Sequence, residues 1–236
     1  AEFYKERTDS LRAARQIVPF IVKLLNPKSV VDVGCGTGEF LSVFIEFGIK
    51  DVLGIDGEWV PRSQLRIPED KFQPMNLEKP IFLGRKFDLV VSLEVAEHLS
   101  PNSTPNFIDF LTSLGNIILF SAAIPGQGGL NHINERWQED WKNLFEERGY
   151  VLFDAIRKQF WYNPNVCFWY KQNAFLYINK EIVSQISFDF IDNNTFPLNV
   201  VHFELFEKKV KELERIYKYF PQPLVNLFKA IKRLFS

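Results

Sequence analysis

The fold is decided by residues 29–41, Ser-Val-Val-Asp-Val-Gly-Cys-Gly-Thr-Gly-Glu-Phe-Leu. The β-branched run at its start is typical of a buried parallel strand, and the three glycines that follow open a helix. One face of this helix is predicted to carry the apolar residues Phe40, Leu41, Phe44 and Ile45. A second strand is predicted at residues 52–55 and ends in Asp56, so the predicted order is strand, glycine turn, helix and strand.

This βαβ unit has the pattern of a nucleoside-binding site. Asp56 lies at the tip of the second strand, 24 residues after Asp32. Glycines let a backbone approach a ligand and expose amides at the start of the helix, while a carboxylate at the next strand end can accept both ribose hydroxyls. The close Gly-x-Gly-x-Gly spacing favours a nucleoside with an amino-acid tail over one with pyrophosphate. A tight turn without a ligand is the alternative.

Val-Asp-Val-Gly-Cys-Gly-Thr-Gly resembles the first motif of class I S-adenosylmethionine-dependent methyltransferases. The resemblance implies a Rossmann-like α/β domain over residues 1–180, with a seven-stranded, mostly parallel sheet and helices on both faces. Residues 181–236 are expected to form a C-terminal helical extension. Asn76 stands where many relatives carry Asp against the adenine. The implied contacts to S-adenosylmethionine are Asp32, Gly34, Cys35, Gly36, Gly38, Asp56, Gly57, Asn76, Leu77 and Leu93.

Composition limits the other function classes. With 236 residues, 46% hydrophobic, the chain suits one α/β domain with additions. The net charge is −1, and residues 207–236 hold eight Lys or Arg against three Glu. The remainder of the chain is therefore acidic. An acidic domain argues against nucleic acid as a partner. Two cysteines and no long apolar run indicate neither a disulfide framework nor a membrane span, and a cytoplasmic location is expected.

The predicted fourth strand, residues 87–93, leads into Glu-Val-Ala-Glu-His at 94–98. Ligands of open α/β sheets bind at the carboxyl ends of the strands, so this segment should face the same crevice as the glycine turn. Glu94, Glu97 and His98 are spaced i, i+3 and i+4, which one helical turn would place on a single face. Such a set can hold a divalent cation such as Mg²⁺ or Mn²⁺.

The same Glu-x-x-Glu-His spacing resembles the ubiquinone-pathway O-methyltransferases and the small-RNA terminal 2′-O-methyltransferases, which use these residues on a divalent metal. In the RNA enzymes a further His beyond the fifth strand completes the site, and His132 lies in a comparable place. The resemblance therefore implies the ligand set Glu94, Glu97, His98 and His132. Many metal-free relatives also carry a Glu-His pair here to cap the helix and frame the cofactor, so both interpretations stay open.

A Gly-rich loop at residues 123–137 follows the predicted fifth strand. Loops at this edge of the sheet commonly hold substrate residues, and Asn131 and Asn134 could orient a polar acceptor. His132 is the first catalytic candidate, as a base that removes the proton of an acceptor hydroxyl. If a metal is bound, His132 is instead a ligand. Glu94 and His98 are the other catalytic candidates.

Three expectations concern the remaining segments. The helix that begins at Thr8 or Asp9 either only covers the sheet or closes over the cofactor with Tyr4, Arg7 and Arg12. Residues 150–160 and 168–178 are predicted as the two strands of a terminal antiparallel hairpin. Residues 222–236 form a short basic amphipathic pattern that could lie on an anionic membrane, or dock on its own domain or on a second subunit.

The predicted activity is transfer of a methyl group from S-adenosylmethionine to a small polar acceptor, best a hydroxyl oxygen of a sugar or secondary metabolite. One alternative is a metal-dependent RNA ribose 2′-O-methyltransferase. The other is a non-catalytic nucleoside-binding module that is recruited through its basic C-terminal helix.

Overall fold

A computed structural model describes residues 7–185 and 197–219. Within them, seven strands form one sheet in the order β3-β2-β1-β4-β5-β7-β6. The first five strands run parallel, and β7 is antiparallel to both β5 and β6. This confirms the predicted class I fold. The strands are β1 Ser29–Val33, β2 Asp51–Asp56, β3 Phe72–Pro74, β4 Leu89–Leu93, β5 Ile117–Ser121, β6 Tyr150–Phe153 and β7 Phe175–Asn179.

Helices cover both faces of the sheet. Alternation along β1 divides its side chains, since Val30 contributes to one hydrophobic core while Val31 and Val33 contribute to the other. The first core includes Val18 and the second includes Phe145. The helices around the sheet are α1 Arg7–Leu25, α2 Glu39–Glu46, α3 Thr104–Leu114, α4 Gln138–Glu146, α5 Ala155–Phe160 and α6 Phe168–Asn173, and a further helix, α7 Phe203–Tyr219, comes later in the chain.

The predicted apolar face of α2 is confirmed for three residues and wrong for the fourth. Phe40, Leu41 and Phe44 are buried, whereas Ile45 is exposed at 36%. Ile45 lies in the last turn of the helix, beside the exposed Glu46 and Phe47. Helical spacing therefore identified the buried face of α2 but wrongly extended it to Ile45.

The two long strands predicted for residues 150–160 and 168–178 are wrong in extent. The antiparallel pairing is present, with Tyr150 opposite Asn179, but β6 ends at Phe153 and β7 begins only at Phe175. The chain between them forms α5 and α6. Ile156 and Phe160 lie one helical turn apart in α5 and both are buried, so tertiary packing prevails over the strand propensity of their neighbours.

The chain divides into two compact units, Ala1–Val200 and Val201–Ser236. The first unit continues past the predicted domain boundary at residue 180, because the buried Arg157 guanidinium donates hydrogen bonds to the carbonyls of Pro197 and Leu198. The second unit contains α7. Tyr4 and the predicted basic helix at 222–236 lie outside the described residues.

No helix within residues 7–185 and 197–219 has the length and hydropathy needed to cross a bilayer.

Replacing Phe145 by Ala should test the core between α4 and the sheet. The Phe145 ring is fully buried and stacks on Tyr177 with centroids 4.0 Å apart. We expect the free energy of unfolding to fall by about 3–5 kcal/mol in urea denaturation, because a cavity replaces the ring. Phe82→Ala is the matched control: Phe82 is 85% exposed, so its loss should change stability by less than about 0.5 kcal/mol. Equal losses of stability in Phe145→Ala and Phe82→Ala would contradict the burial of Phe145 between α4 and the sheet.

Candidate functional site

The glycine turn between β1 and α2 has the backbone conformation that a ligand-binding turn needs. Gly34, Gly36 and Gly38 all have positive φ, at 84°, 58° and 87°. The Gly34 amide donates to the Ile55 carbonyl at 2.7 Å, which ties the turn to the end of β2. A Cβ on Gly34 would lie 2.3 Å from a methyl group of Val95, so only glycine fits at this position.

Asp56 joins the glycine turn to the tip of β2. One carboxylate oxygen accepts a hydrogen bond from the Gly36 amide at 2.7 Å, and the other accepts from the Gly57 amide at 2.6 Å. A carboxylate has about four acceptor positions, so it can bind several donors at once. The structure thus places Asp56 beside the turn, as the sequence predicts.

Three carboxyl groups are gathered beneath this turn. Asp32 is buried, and its pKa is raised well above the usual value by burial first and then by the negative charges of Asp56 and Glu39. Glu39 is also buried, and its Oε1 lies 3.6 Å from Nε of Arg66. A cationic ligand in the turn would offset the repulsion among these groups.

The other predicted cofactor residues surround the same turn. Cys35 is buried, and burial raises the pKa of its thiol, so it is an unreactive neutral group. Leu77 is buried, while Leu93 is half-buried at the end of β4. Asn76 is exposed, and its side-chain oxygen accepts a hydrogen bond from the Glu78 amide at 3.0 Å, so this oxygen shapes the loop after β3.

The predicted helical turn at residues 94–98 is wrong at its first residue. Glu94 has φ of 56°, and a 3-10 helix begins only at Ala96. The Glu94 carboxylate instead accepts hydrogen bonds from the side-chain amides of Gln127 at 2.9 Å and Asn173 at 3.3 Å. Glu94 is therefore held by amide groups and does not share a helical face with Glu97 and His98.

Three of the four predicted metal ligands do come together. Glu97, His98 and His132 each offer a ligand atom, and these atoms lie within 4.8 Å of one another. The two imidazole rings meet edge to face, with centroids 4.8 Å apart. Burial first, and the neighbouring His132 second, lower the pKa of His98, so its imidazole is neutral near pH 7.

Glu97 is the unusual member of this cluster. Its side chain is fully buried; within the described part of the chain neither of its carboxyl oxygens makes a well-formed hydrogen bond, although the Glu94 carboxyl and the Ala123 amide lie close to it. Burial first, and then the charge of Glu94, raise the pKa of Glu97 well above its usual value. A buried carboxyl without a well-formed hydrogen bond is costly, and a cation at this point would satisfy it.

Glu135 is a site residue that the sequence analysis missed. Its Oε1 lies 2.9 Å from Nδ1 of His132, and its carboxylate also accepts hydrogen bonds from the amides of Gly126 and Gly128. The available signal was His-x-x-Glu directly after the glycine-rich stretch. Those residue types are so common in loops that spacing alone did not distinguish Glu135 from a solvated side chain.

The amide groups around Glu94 were also missed. Gln127, Gln172 and Asn173 are buried and hydrogen-bonded to one another, with Asn173 donating to Gln127 at 2.9 Å. Their segments are far apart in sequence, so no local pattern connects them. Asn134 has a structural role as well, because its buried amide donates to Thr104 and to the Ala96 carbonyl.

The N-terminal helix packs on α2, where Arg15 lies 3.8 Å from Glu46. Arg12 of this helix pairs with Asp9 at 2.9 Å, and both side chains are largely exposed. These contacts fit the covering role. The closing role expected of Tyr4, Arg7 and Arg12 stays a prediction.

A family model described as "Methyltransferase domain" matches residues 4–121, which is half of the chain. The chain belongs to the methyltransferase-domain family. The matched span contains the glycine turn, Asp56 and the Glu97–His98 pair, but it ends before the loop of His132. No protein of curated function matches this family member significantly.

Solved structures share the fold of this methyltransferase-family chain. The sugar N-methyltransferase KedS8 from Streptoalloteichus sp ATCC 53650 is 14% identical, with TM-score 0.59, over 75% of this chain and 91% of that one. Magnesium protoporphyrin IX methyltransferase from Synechocystis PCC 6803 with bound SAM is 18% identical, with TM-score 0.53, over 73% and 81%. The methyltransferase domain of bacterial CtHen1 is 18% identical, with TM-score 0.52, over 72% and 98%. At these identities the likeness establishes the fold alone.

Gly34→Ala should disrupt the nucleoside turn through the clash with Val95. Gly48→Ala is a matched control because Gly48 has the same positive φ, 87°, but no atom within 4 Å of an added Cβ. Both variants carry the left-handed strain of about 1–2 kcal/mol, and only Gly34→Ala adds the clash. We expect Gly34→Ala alone to weaken S-adenosylhomocysteine binding at least about tenfold, a loss of about 1.4 kcal/mol, in calorimetry. Equal affinities in the two variants would contradict the assignment of the turn.

Asp32→Asn should stabilise the protein at neutral pH. Because the pKa of Asp32 is raised in the folded state, its contribution to stability is greatest below the usual pKa of about 4 and is lost as pH rises through the folded value. The variant should therefore exceed the wild type in melting temperature at pH 7, and the gain should disappear near pH 4. Asp70→Asn, at a 75% exposed side chain, should show no such pH dependence. A gain of the same size at both pH values would contradict the burial argument.

Proposed function

We propose that this methyltransferase-family chain transfers the methyl group of S-adenosylmethionine to a hydroxyl oxygen of a small polar acceptor, such as a sugar or a secondary metabolite. The observation that carries the proposal is the contact between Gly34 and Val95. This contact places the glycine turn, which would hold the cofactor, next to the segment that carries Glu97 and His98. Methyl donor and proton acceptor would therefore occupy one crevice.

The charge beneath the turn supports S-adenosylmethionine in particular. This cofactor carries a positive sulfonium and a positive ammonium group, and Asp32, Glu39 and Asp56 supply negative charge around its expected place. The amides of the glycine turn would bind its amino-acid portion. Asp56 would accept the ribose hydroxyls, and residues 76–77 would lie along the adenine.

Methyl transfer of this kind is a direct displacement at the sulfonium carbon. The protein mainly aligns the two reactants and removes the acceptor proton. His132 would take that proton. This requirement favours oxygen over nitrogen as the acceptor, because a neutral amine attacks without first losing a proton, whereas a hydroxyl needs the base that His132 provides.

The residues also fit a divalent cation. Glu97 provides a buried carboxyl group without a well-formed hydrogen bond, His98 and His132 provide two imidazoles, and the ligand atoms of all three lie within 4.8 Å of one another. A bound Mg²⁺ or Mn²⁺ would supply Lewis acidity that lowers the pKa of an acceptor hydroxyl. In that case Glu97, His98 and His132 would be the ligands. Glu94 would support them through its amide contacts, although the sequence resemblance implies it as a fourth ligand.

The small-molecule acceptor is supported by the charge of the first unit and by the fold relatives. Residues 1–206 are net acidic, which disfavours a polyanion. Two of the similar structures are named for a sugar and for a porphyrin as substrate.

RNA ribose is the second candidate acceptor. It is favoured by the Glu97, His98 and His132 cluster, which matches the small-RNA methyltransferase pattern apart from Glu94. Labelled methyl transfer to a short RNA, compared with transfer to a panel of sugars, would decide between the two. Nucleoside binding without transfer to either class would favour the non-catalytic module.

His132→Ala should separate catalysis from cofactor binding. Removing the base should lower the turnover number about 10²–10⁴-fold, because proton removal by a positioned side chain contributes on that scale. S-adenosylhomocysteine affinity should stay within about twofold of the wild type, a difference of about 0.4 kcal/mol. Turnover is measured with methyl-labelled S-adenosylmethionine with and without Mn²⁺, and affinity by calorimetry. Undiminished turnover would remove His132 from the mechanism.

A further inference from the structure

The His132 ring is held between two parts of its own loop. On one side, Nδ1 lies 2.9 Å from Oε1 of Glu135. On the other, a Cβ on Gly129 would lie 2.2 Å from Nε2, so a side chain at position 129 would displace the ring. The imidazole is only 11% exposed. These contacts fix both the orientation of the ring and the nitrogen at which another group can reach it.

The Glu135 carboxylate is built into the loop as a hydrogen-bond acceptor. Its Oε2 accepts from the Gly126 amide at 2.7 Å, and its Oε1 accepts from the Gly128 amide at 2.9 Å. Both glycines have positive φ, at 81° and 71°, which turns their amides toward the same side chain. The loop therefore needs an acceptor at Glu135.

The ionised form of Glu135 is favoured in this setting. Each of its two oxygens accepts a hydrogen bond from a glycine amide, and such bonds stabilise the charged form of a carboxyl group. An ionised carboxylate can only accept hydrogen bonds. In a neutral imidazole facing Glu135, the proton must then lie on Nδ1, and the lone pair lies on Nε2.

We propose that Glu135 is a positioning residue that fixes His132 as its Nδ1–H tautomer, so that the Nε2 lone pair is presented beside Gly129 to the acceptor proton or to a cation. The inference deepens the function proposed above and rests on it for the role of His132. The tautomer itself is a property of the protein alone and can be measured without any acceptor.

Glu135→Gln should change the tautomer. The Gln side chain has one acceptor oxygen and an NH₂ donor. Its single oxygen can take the place of only one carboxylate oxygen: in the Oε2 place it keeps the Gly126 amide and turns the NH₂ group toward Nδ1 of His132, which must then accept, so that the proton moves to Nε2 in this arrangement. Glu135→Asp keeps a carboxylate and should retain the Nδ1–H form. The exposed Glu69→Gln is the matched control for the same chemical change, and it should leave His132 unaffected.

The experiment is a long-range ¹H–¹⁵N correlation spectrum of the ¹⁵N-histidine-labelled full chain at about pH 8, where ordinary imidazoles are neutral. The chain has three histidines, so the His132 signals are assigned by their loss in His132→Ala. We expect Nδ1–H in the wild type, in Glu135→Asp and in Glu69→Gln, and a shift toward Nε2–H in Glu135→Gln. An Nε2–H tautomer in the wild type would overturn the proposal.

Two further readouts separate this proposal from the proposed function. In Glu135→Gln, turnover should fall about 10–100-fold, as is usual when a carboxylate behind a functional histidine is lost, with partial recovery in Glu135→Asp. S-adenosylhomocysteine affinity should remain unchanged. If the wild type shows the expected tautomer but transfers no methyl group, the proposed function fails while the tautomer assignment stands. If Glu135→Gln changes the tautomer without reducing turnover, the positioning role is refuted.

Discussion

The close approach of Gly34 to Val95 is the constraint on which the rest of the site depends. It exists because β1 and β4 are neighbours in the sheet, and both end at the same edge. The side chain that would keep them apart is absent at Gly34, so Val95 packs directly on the glycine turn. Since Glu97 and His98 follow Val95 in the next turn, a single contact positions both the glycine turn proposed to hold the nucleoside and the segment proposed to lie beside the acceptor.

The site gathers charge that is unfavourable in an empty protein. Asp32 and Glu97 are both buried with raised pKa values, and within the described part of the chain the carboxyl oxygens of Glu97 make no well-formed hydrogen bond. Such groups reduce the stability of the fold at neutral pH. Their arrangement is understandable if a positively charged cofactor binds beside Asp32 and a cation or an acceptor proton lies beside Glu97. Asp32 and Glu97 would then lower the stability of the unliganded fold because binding requires their carboxyl groups at these positions.

The sequence predicted the parts of the molecule that depend on local pattern. Hydrophobic runs and the glycine turn predicted the parallel strands and the place of Asp56, because both follow from the period and turn chemistry of a short segment. Prediction from the sequence failed where contacts between distant segments determine the local structure. Glu94 left the predicted helical turn because Gln127 and Asn173 bind its carboxylate, and residues 155–160 are helical rather than extended because a helix buries Ile156 and Phe160 on one face. Glu135 was missed because its role depends on hydrogen bonds from the Gly126 and Gly128 amides, which a local sequence pattern does not reveal.

The most direct test of the account is calorimetric titration of S-adenosylhomocysteine into the full chain and into Asp56→Ala. The account predicts one site with a dissociation constant in the micromolar range for the wild type, and an affinity at least about tenfold lower in the variant. Asp70→Ala is the matched control, because the Asp70 side chain is 75% exposed, and it should bind as the wild type does. Absence of binding to the wild type, or equal binding by Asp56→Ala, would contradict the central claim that this crevice is a nucleoside site.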